Sequence, residues 1–132
     1  MNSNQVTSTG IRRTVVIADD EPSVRMLVQA TLEMDGLNLI EADDGDEAWS
    51  LIQEHRPSLV LLDVRMPGRT GLEILHAIKA DPNLTSTRVI LLTASAQESD
   101  INEGLLAGAD FYLTKPFSPR DLLSKVDEAL FL

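Results

Sequence analysis

Short runs of β-branched and aliphatic residues recur along the chain, separated by stretches in which apolar residues return at helical spacing. The runs predict five β-strands, at Thr14–Ala18, Leu37–Ala42, Leu59–Leu62, Val89–Leu92 and Phe111–Leu113. The run Leu59–Leu62 contains no polar residue, which is typical of a strand buried on both faces. Such strands occur mainly in parallel sheets that helices cover on both sides.

Helices are predicted between these runs, both from the spacing and from residues typical of helix ends. Starts are indicated at Pro22, the acidic turn Asp43–Asp46, Gly71 and Pro119, and stops at Gly36 and Gly108. The second helix carries an apolar stripe formed by Ala48, Leu51, Ile52 and His55, with Trp49 at its margin. A helix around Asp100–Ala107 has a weaker stripe and contains Gly104, so we expect it to be less firmly packed. The unbroken alternation predicts an α/β fold with a parallel sheet and right-handed crossovers.

The length and composition fit one globular domain. The chain has 132 residues, of which 43% are hydrophobic and 24% charged, so it is long enough to bury a core. Residues 1–10 are polar and rich in Ser, Thr and Asn, which predicts a flexible tail ahead of a domain at 11–132. The chain has no cysteine, which excludes disulfides and thiolate metal sites. Whether an output domain was cut away after Leu132 stays open.

The charge balance is strongly acidic and argues against two classes of partner. The chain has 11 Lys and Arg against 21 Asp and Glu, a net charge of -10, which repels nucleic acid and anionic membrane surfaces. Its apolar runs are far shorter than the ~20 residues of a membrane span, and its polar start lacks the apolar core of a signal peptide. We therefore expect a cytoplasmic protein that binds neither DNA nor membranes directly.

Polar side chains gather where the predicted strands end, and parallel winding puts these ends along one edge of the sheet. They are Asp19, Asp20, Asp63, Thr93 and Lys115. Two unit charges ~4 Å apart repel by about 4 kcal/mol at an effective dielectric near 20, so clustered carboxylates need a cation. Oxygen ligands without His or Cys favour Mg²⁺, with Mn²⁺ as an alternative. Taken alone, Asp63 could equally cap the turn that follows it.

Four segments in this order resemble the receiver domain of two-component response regulators. They are the acidic triplet Asp19–Glu21, LLDVRMPG around Asp63, LLTAS around Thr93 and TKPF around Lys115. The resemblance covers roughly residues 12–130 and is similar in extent to the single-domain chemotaxis regulator. It implies a doubly wound, flavodoxin-like sheet of five parallel strands in the order 2-1-3-4-5, with helices on both faces.

The resemblance also implies a function and roles for the site residues. Asp63 would accept a phosphoryl group from a histidine kinase or a histidine phosphotransfer protein. Mg²⁺ would be held by Asp19, Asp20, Asp63 and the backbone carbonyl of Arg65, while Lys115 and Thr93 would contact phosphoryl oxygens. The Lys115–Pro116 bond would be cis. Such a domain is a phosphoacceptor in signalling, not a conventional enzyme, although it promotes its own phosphorylation and dephosphorylation.

Switching is expected at Thr93 and Tyr112, which by the same resemblance would move together on phosphorylation. The partner face would comprise the helix at Asp100–Ala107, the fifth strand and the last helix, facing a downstream protein, an output domain or a second copy in a phosphorylation-dependent homodimer. Tyr112 could instead be a simple surface aromatic. The Arg65 side chain is expected to alter the lifetime of the acyl phosphate, with a solvent-facing position as the alternative.

Other interpretations remain for the fold and for single residues. A flavin mononucleotide binder would share the sheet, but needs a loop of N–H donors after the first strand where this chain has DDEPS. A phosphohydrolase would need a DxD arrangement and a cap region, and neither is found in the sequence. A receiver that only mediates interactions is the third alternative. We expect structural roles for His55, His76 and Trp49, and helix-capping roles for Asp43–Asp46.

Overall fold

The computed structural model describes residues 13–94, 102, 104–105 and 107–131, and its centre is a parallel β-sheet. The strands are β1 (Thr14–Ala18), β2 (Asn38–Ala42), β3 (Leu59–Asp63), β4 (Arg88–Thr93) and β5 (Phe111–Thr114). They are hydrogen bonded in the order β2-β1-β3-β4-β5, and every pairing is parallel. The predicted fold class and strand order are therefore confirmed.

Helices connect the strands and cover the sheet. They are α1 (Pro22–Glu33), α2 (Gly45–His55), α3 (Gly71–Ala80) and α4 (Pro119–Leu130), with a short 3₁₀ helix at Pro82–Leu84. Residues 102, 104 and 105 are also helical and belong to the segment predicted as a helix at Asp100–Ala107. The remainder of that helix, apart from Ala107, and the predicted tail at residues 1–10 lie outside the described residues. None of the helices in the described part of the chain combines the length and apolar character needed to cross a membrane.

The core consists of two layers, one on each side of the sheet. Successive residues of the central strands alternate between the layers, because side chains of a strand point to opposite faces. In β3, Val60 and Leu62 pack with the layer beneath α2 and α3, whereas Leu59 and Leu61 pack with the layer beneath α1 and α4. All five residues of β3 are buried. This two-sided burial is the reason for its uninterrupted apolar run.

Side-chain caps hold the starts of three helices. Asp44 accepts a hydrogen bond from the backbone of Glu47 at the start of α2, so the acidic turn has the expected capping role. Thr70 with Glu73 and Ser118 with Asp121 form reciprocal capping boxes at α3 and α4. These caps fix where the helices begin relative to the strand ends that precede them.

Several details differ from the sequence prediction. The strand β2 begins at Asn38 instead of Leu37 and β4 at Arg88 instead of Val89, while β3, β4 and β5 end one residue later, at Asp63, Thr93 and Thr114, because the backbone ladder continues beyond the apolar run. The prediction that His55 lies on the buried stripe of α2 is wrong, since its side chain is 37% exposed. Gly104 is buried against β4, where a Cβ would overlap Leu91 Cδ1, so the glycine permits a close approach.

Candidate functional site

The carboxyl ends of the strands bring three aspartates together at one edge of the sheet. Asp19 and Asp20 directly follow β1, and Asp63 is the last residue of the neighbouring strand β3. Each contributes a carboxylate oxygen, and the three oxygens lie within 4.8 Å of one another. Asp19 is fully buried and Asp63 is 7% exposed, whereas Asp20 faces solvent.

The loop after β1 is fixed by contacts to Asp19. The backbone N–H of Glu21 donates to Asp19 Oδ1 at 2.9 Å, and Arg25 Nη1 donates to the Asp19 carbonyl at 2.5 Å. Arg25 also pairs with Glu41 of β2, with 3.3 Å between Nε and Oε1. Asp19 Oδ2 is buried and accepts no hydrogen bond of good geometry from the part of the chain that the structure describes, but it is ion-paired with the Lys115 ammonium at 2.8 Å. A buried oxygen in this condition has capacity for a further cationic ligand.

Asp63 is held in place by the backbone that follows it. The N–H of Val64 donates to the Leu92 carbonyl at 3.0 Å, and the N–H of Gly71 donates to the Val64 carbonyl at 3.1 Å. Gly71 has no room for a Cβ, which would overlap the Asp63 carbonyl. The Arg65 N–H donates to Asp63 Oδ1 at 3.3 Å. The carboxylate is therefore fixed in direction before any ligand arrives.

Burial controls the acidity of Asp63. Desolvation is the larger cause and the negative charge of Asp19 the second, and together they raise the pKa of this carboxyl group from 3.8 to about 6. The charge of Lys115, with hydrogen bonds from the Arg65 backbone and Lys115, acts in the opposite direction and offsets only part of the increase. Above pH 6 Asp63 is therefore an anion, and the contacts with Lys115 and the Arg65 N–H offset only part of the cost of burying its charge.

Lys115 lies among the carboxylates. Its Nζ is 2.8 Å from Asp19 Oδ2, 2.8 Å from Glu21 Oε1 and 3.4 Å from Asp63 Oδ2. Burial alone would lower the pKa of Lys115, but the close contacts with Asp19 and Glu21 and the charges of Asp19 and Asp63 outweigh it, so the pKa lies above its usual value. The hydrogen bond from Lys115 also lowers the pKa of Glu21. Lys115 is consequently charged throughout the physiological pH range.

The loop between β3 and α3 rests on the start of α2. The Gly45 N–H donates to the Pro67 carbonyl at 2.9 Å, and a Cβ on Gly45 would overlap the Arg69 carbonyl. The Arg69 guanidinium lies 5.8 Å from the centre of the Trp49 ring and pairs with Asp46, with 3.6 Å between Nε and Oδ1. Trp49 is partly buried and packs against the core, which agrees with its expected structural role.

Thr93 and Tyr112 occupy different environments. Thr93 ends β4 and is 5% exposed, and its carbonyl accepts a hydrogen bond from the Lys115 N–H at 2.8 Å. Tyr112 is 39% exposed and lies opposite Leu91 in the register of β4 and β5. The Lys115–Pro116 peptide bond is cis, as the resemblance implied.

The donor chemistry of the cluster fits a hard divalent cation. Lys115 is ion-paired with the carboxylates of Asp19, Glu21 and Asp63, and Asp20 belongs to the same cluster of aspartates, so its one positive charge cannot neutralise them all. All the side-chain donors of the three clustered aspartates are oxygens, the ligands that Mg²⁺ and Mn²⁺ take in proteins. The residues present therefore fit the cation that the sequence predicted.

The structure brings most of the predicted site residues to one cavity of about 360 Å³. Its lining includes Asp20, Asp63, Arg65, Thr93 and Lys115. Tyr112 instead lines a separate cavity of about 390 Å³ beside α4. Neither His55 nor His76 is among the described residues that line the site cavity, and both are exposed on helices.

Sequence reasoning missed the contacts of two residues beside this cavity. Glu21 was recognised only as part of the acidic triplet, and its ion pair with Lys115 was not foreseen. Arg25 was not singled out, although it holds the Asp19 carbonyl. The available signal for Arg25 was a cation in the first turn of the helix that follows the acidic loop, where a basic residue is unfavourable for the helix dipole.

Comparison with known proteins gives consistent matches over most of the chain. The family model described as response regulator receiver domain matches residues 15–127. The phosphate regulon transcriptional regulatory protein PhoB of Pseudomonas aeruginosa is 38% identical over 120 residues, which are 91% of this chain and 52% of that protein. The DNA-binding response regulator MtrA of Mycolicibacterium smegmatis is 34% identical over 116 residues, 88% of this chain and 50% of that protein. The chain thus spans about half the length of these curated relatives.

Solved structures agree in fold. The chemotaxis response regulator CheY4 of Vibrio cholerae has a TM-score of 0.85 at 32% sequence identity, with 91% of this chain and 100% of that chain covered. The BeF₃-activated N-terminal receiver domain of RstA from Klebsiella pneumoniae has a TM-score of 0.82 at 27% identity, with 90% of this chain and 99% of that chain covered.

Proposed function

The chain belongs to the response regulator receiver domain family, and on this premise we propose that Asp63 is the phosphoacceptor of a cation-dependent signalling switch. The observation that carries the proposal is the position of its carboxylate. It is an anion above pH 6, fixed by the Arg65 N–H at 3.3 Å and flanked by the Lys115 ammonium at 3.4 Å. A turn cap would require neither the buried aspartate beside it nor the lysine.

The reaction is a transfer between two nucleophiles. An Asp63 carboxylate oxygen forms a bond to phosphorus while the bond from phosphorus to the donor nitrogen of a phosphohistidine breaks, and its electron pair returns to the imidazole. The product is an acyl phosphate. Because Asp63 is held by the backbone that follows it, little freedom is lost when the donor docks.

The neighbouring side chains have distinct tasks. Lys115 pairs with Asp63 before transfer and with a phosphoryl oxygen afterwards. Thr93, at the end of β4, donates its hydroxyl to a second phosphoryl oxygen. The cation would be held by Asp19, Asp20, Asp63 and the Arg65 carbonyl, and when bound it neutralises charge on the transferring group. Asp19 and its neighbour Arg25 keep the first loop in position for this role.

The phosphodonor and the partner-binding face are proposed from the family and from this chain's surface. We propose a histidine kinase or histidine phosphotransfer protein as the donor, acting in the cytoplasm. The downstream partner, an output domain or a second copy, would bind the face formed by the predicted helix at Asp100–Ala107, β5 and α4. Tyr112 lies on that face, 39% exposed, and is proposed to turn inward when Thr93 moves toward the phosphoryl group. With a net charge of -10, the chain itself is poorly suited to DNA.

Switching by these few contacts is expected to be incomplete without a partner. A shift from 1:99 to 99:1 requires about 5.5 kcal/mol of differential stabilisation. Charge-assisted hydrogen bonds contribute about 1.5–3 kcal/mol each, so the two from Lys115 and Thr93 reach this total only at the upper end. A partner that binds the phosphorylated conformation more tightly would supply the remainder.

Intact-mass measurement tests the function. The protein is incubated with MgCl₂ and acetyl phosphate, and we expect a gain of one phosphoryl group that EDTA prevents. Asp63→Asn should abolish the gain, whereas Asp127→Asn, the same change on the exposed face of α4, should retain it. No gain in the wild-type protein would favour a domain that only mediates interactions.

A further inference from the structure

We propose that Glu21 is a positioning residue that holds the Lys115 ammonium away from Asp63 and thereby slows phosphorylation. The inference rests on the proposed function and adds a restraint to it. Lys115 Nζ is 2.8 Å from Glu21 Oε1 but 3.4 Å from Asp63 Oδ2. In this state the lysine is therefore bound more closely to Glu21 than to the nucleophile it is meant to assist.

The Lys115 ammonium can donate only a few hydrogen bonds at one time. An ammonium group has three N–H donors. Nζ donates to Glu21 Oε1 at 2.8 Å and is ion-paired with Asp19 Oδ2 at 2.8 Å, so both carboxylates compete with Asp63 and with an incoming phosphoryl oxygen for the ammonium. Asp19 is fully buried and cannot easily give up its cation, whereas the Glu21 side chain is 55% exposed. Glu21 is thus the partner that can be released.

The local backbone supports a specific role for the Glu21 carboxylate. Glu21 occupies the N-cap position of α1, yet its side chain makes no capping hydrogen bond. Ser, Thr, Asp and Asn are the residues that normally cap from this position. Its main chain is extended and its N–H donates to Asp19 Oδ1 at 2.9 Å, so the residue is held beside the site while its carboxylate reaches Lys115. The Glu21 carboxylate therefore serves as a partner of Lys115 and not as a cap of α1.

The pair also lies where a phosphodonor must approach. Glu21 and Lys115 line both the site cavity of about 360 Å³ and a neighbouring groove of about 500 Å³ between α1 and the segment after β5. A carboxylate at this boundary repels an anionic donor and competes with it for the same ammonium. Removing the contact should free Lys115 for the phosphoryl oxygens and accelerate transfer.

Two substitutions separate the contact from the charge. Glu21→Gln removes the charge, whereas Glu21→Asp keeps it but shortens the side chain by one methylene and allows it to cap α1 instead. Glu33→Gln, on the exposed last turn of the same helix, is the matched control. Initial rates of phosphorylation would be measured by intact mass at several concentrations of acetyl phosphate with saturating MgCl₂.

We expect both Glu21 variants to be phosphorylated about two- to fivefold faster than the wild type, the range for an ion pair with one exposed partner. Glu33→Gln should match the wild type. If Glu21→Asp matches the wild type while Glu21→Gln is faster, only the charge matters and the positioning role is overturned. Unchanged or slower phosphorylation of both variants would overturn it as well.

A double-mutant cycle gives a readout that does not involve phosphorylation. Urea unfolding in EDTA would compare wild type, Glu21→Gln, Lys115→Met and the double variant, and we expect a coupling of about two- to fivefold in the unfolding equilibrium constant. Absence of coupling would contradict the contact. Failure of the wild type to accept a phosphoryl group would overturn the proposed function, and this inference with it, whereas phosphorylation indifferent to Glu21 would overturn this inference alone.

Discussion

Replacing Asp63 by Asn should stabilise the metal-free protein while abolishing phosphorylation. The native fold buries this carboxylate beside Asp19, and its pKa is raised from 3.8 to about 6. An acid whose pKa is higher in the folded than in the unfolded state binds more protons when folded. Folding stability must therefore fall as the pH rises from about 4 to 6, and the loss is complete at neutral pH. Asn carries no charge and escapes this penalty.

The expected gain in stability of Asp63→Asn follows from the pKa of Asp63. A change from 3.8 to about 6 corresponds to about 3 kcal/mol at neutral pH. The carboxylate opens onto the site cavity, where water screens its charge, so we expect about 1–2 kcal/mol to remain. For 132 residues this raises Tm by about 4–7 °C. The attraction of Lys115 is already included, because it acts on the same pKa.

Urea unfolding and thermal melts in EDTA would measure the difference between wild type and Asp63→Asn from pH 4 to pH 8. The two curves should converge near pH 4 and separate above pH 6. Asp127→Asn, on the exposed face of α4, controls for loss of a negative charge and should remain within about 0.5 kcal/mol of the wild type.

Cation binding should reduce the stability advantage of Asp63→Asn over the wild type. At ten times its Kd, Mg²⁺ adds about 1.4 kcal/mol to a protein that binds it only when folded. Because Asp63 is one of the proposed ligands, the wild type should gain more than Asp63→Asn. If Asp63→Asn were less stable than the wild type at pH 7.5 in EDTA, or if its advantage did not shrink toward pH 4, the electrostatic account of the site would be refuted.

Three further substitutions test the surroundings of the site. Arg25→Met removes the hydrogen bond to the Asp19 carbonyl and should weaken Mg²⁺ binding about tenfold in calorimetric titration; unchanged affinity would contradict its positioning role. Gly104→Ala should destabilise the fold by about 1–3 kcal/mol in urea unfolding, because the new methyl group overlaps Leu91. A gain in stability would instead mean that the higher helix propensity of Ala outweighs this overlap. Arg65→Ala should hasten the loss of the phosphoryl group measured by intact mass, if the guanidinium shields it; equal rates would exclude that role.

The sheet was predictable because its central strands are buried on both faces. The run Leu59–Leu62 has no polar residue to suggest another environment, and it lies in the middle of the sheet. Pattern alone could not show that β3 and β4 continue into Asp63 and Thr93. Both residues are polar, which is typical of a loop, but their backbones still pair with the neighbouring strands of the sheet.

The error at His55 has a simple geometric origin. The residue continues the stripe of α2 by spacing, but the helix ends there and Arg56 adopts a left-handed conformation with φ of 44°. At the last turn of α2, the apolar face of the helix no longer lies over the core. Periodicity identifies the face of a helix but not the point at which that face leaves the core.

The candidate site was predictable in its members but not in its contacts. Topology alone puts Asp19, Asp63 and Lys115 at one edge, because all strands run in the same direction. The contact between Glu21 and Lys115 joins residues 94 positions apart and depends on the length and rotamer of both side chains. Such a contact has no periodic signature, so only the three-dimensional structure could suggest that Glu21 restrains the lysine.

Mapping of the modified residue tests the proposed function most directly. Borohydride reduces an aspartyl phosphate to homoserine, which survives proteolysis and is located by peptide mass spectrometry. After phosphorylation by acetyl phosphate with MgCl₂, we predict homoserine at the position of Asp63 and unmodified Asp19 and Asp20. Reduction at either of those aspartates, or a phosphorylated protein with no homoserine at the Asp63 position, would contradict the proposal that Asp63 is the phosphoacceptor.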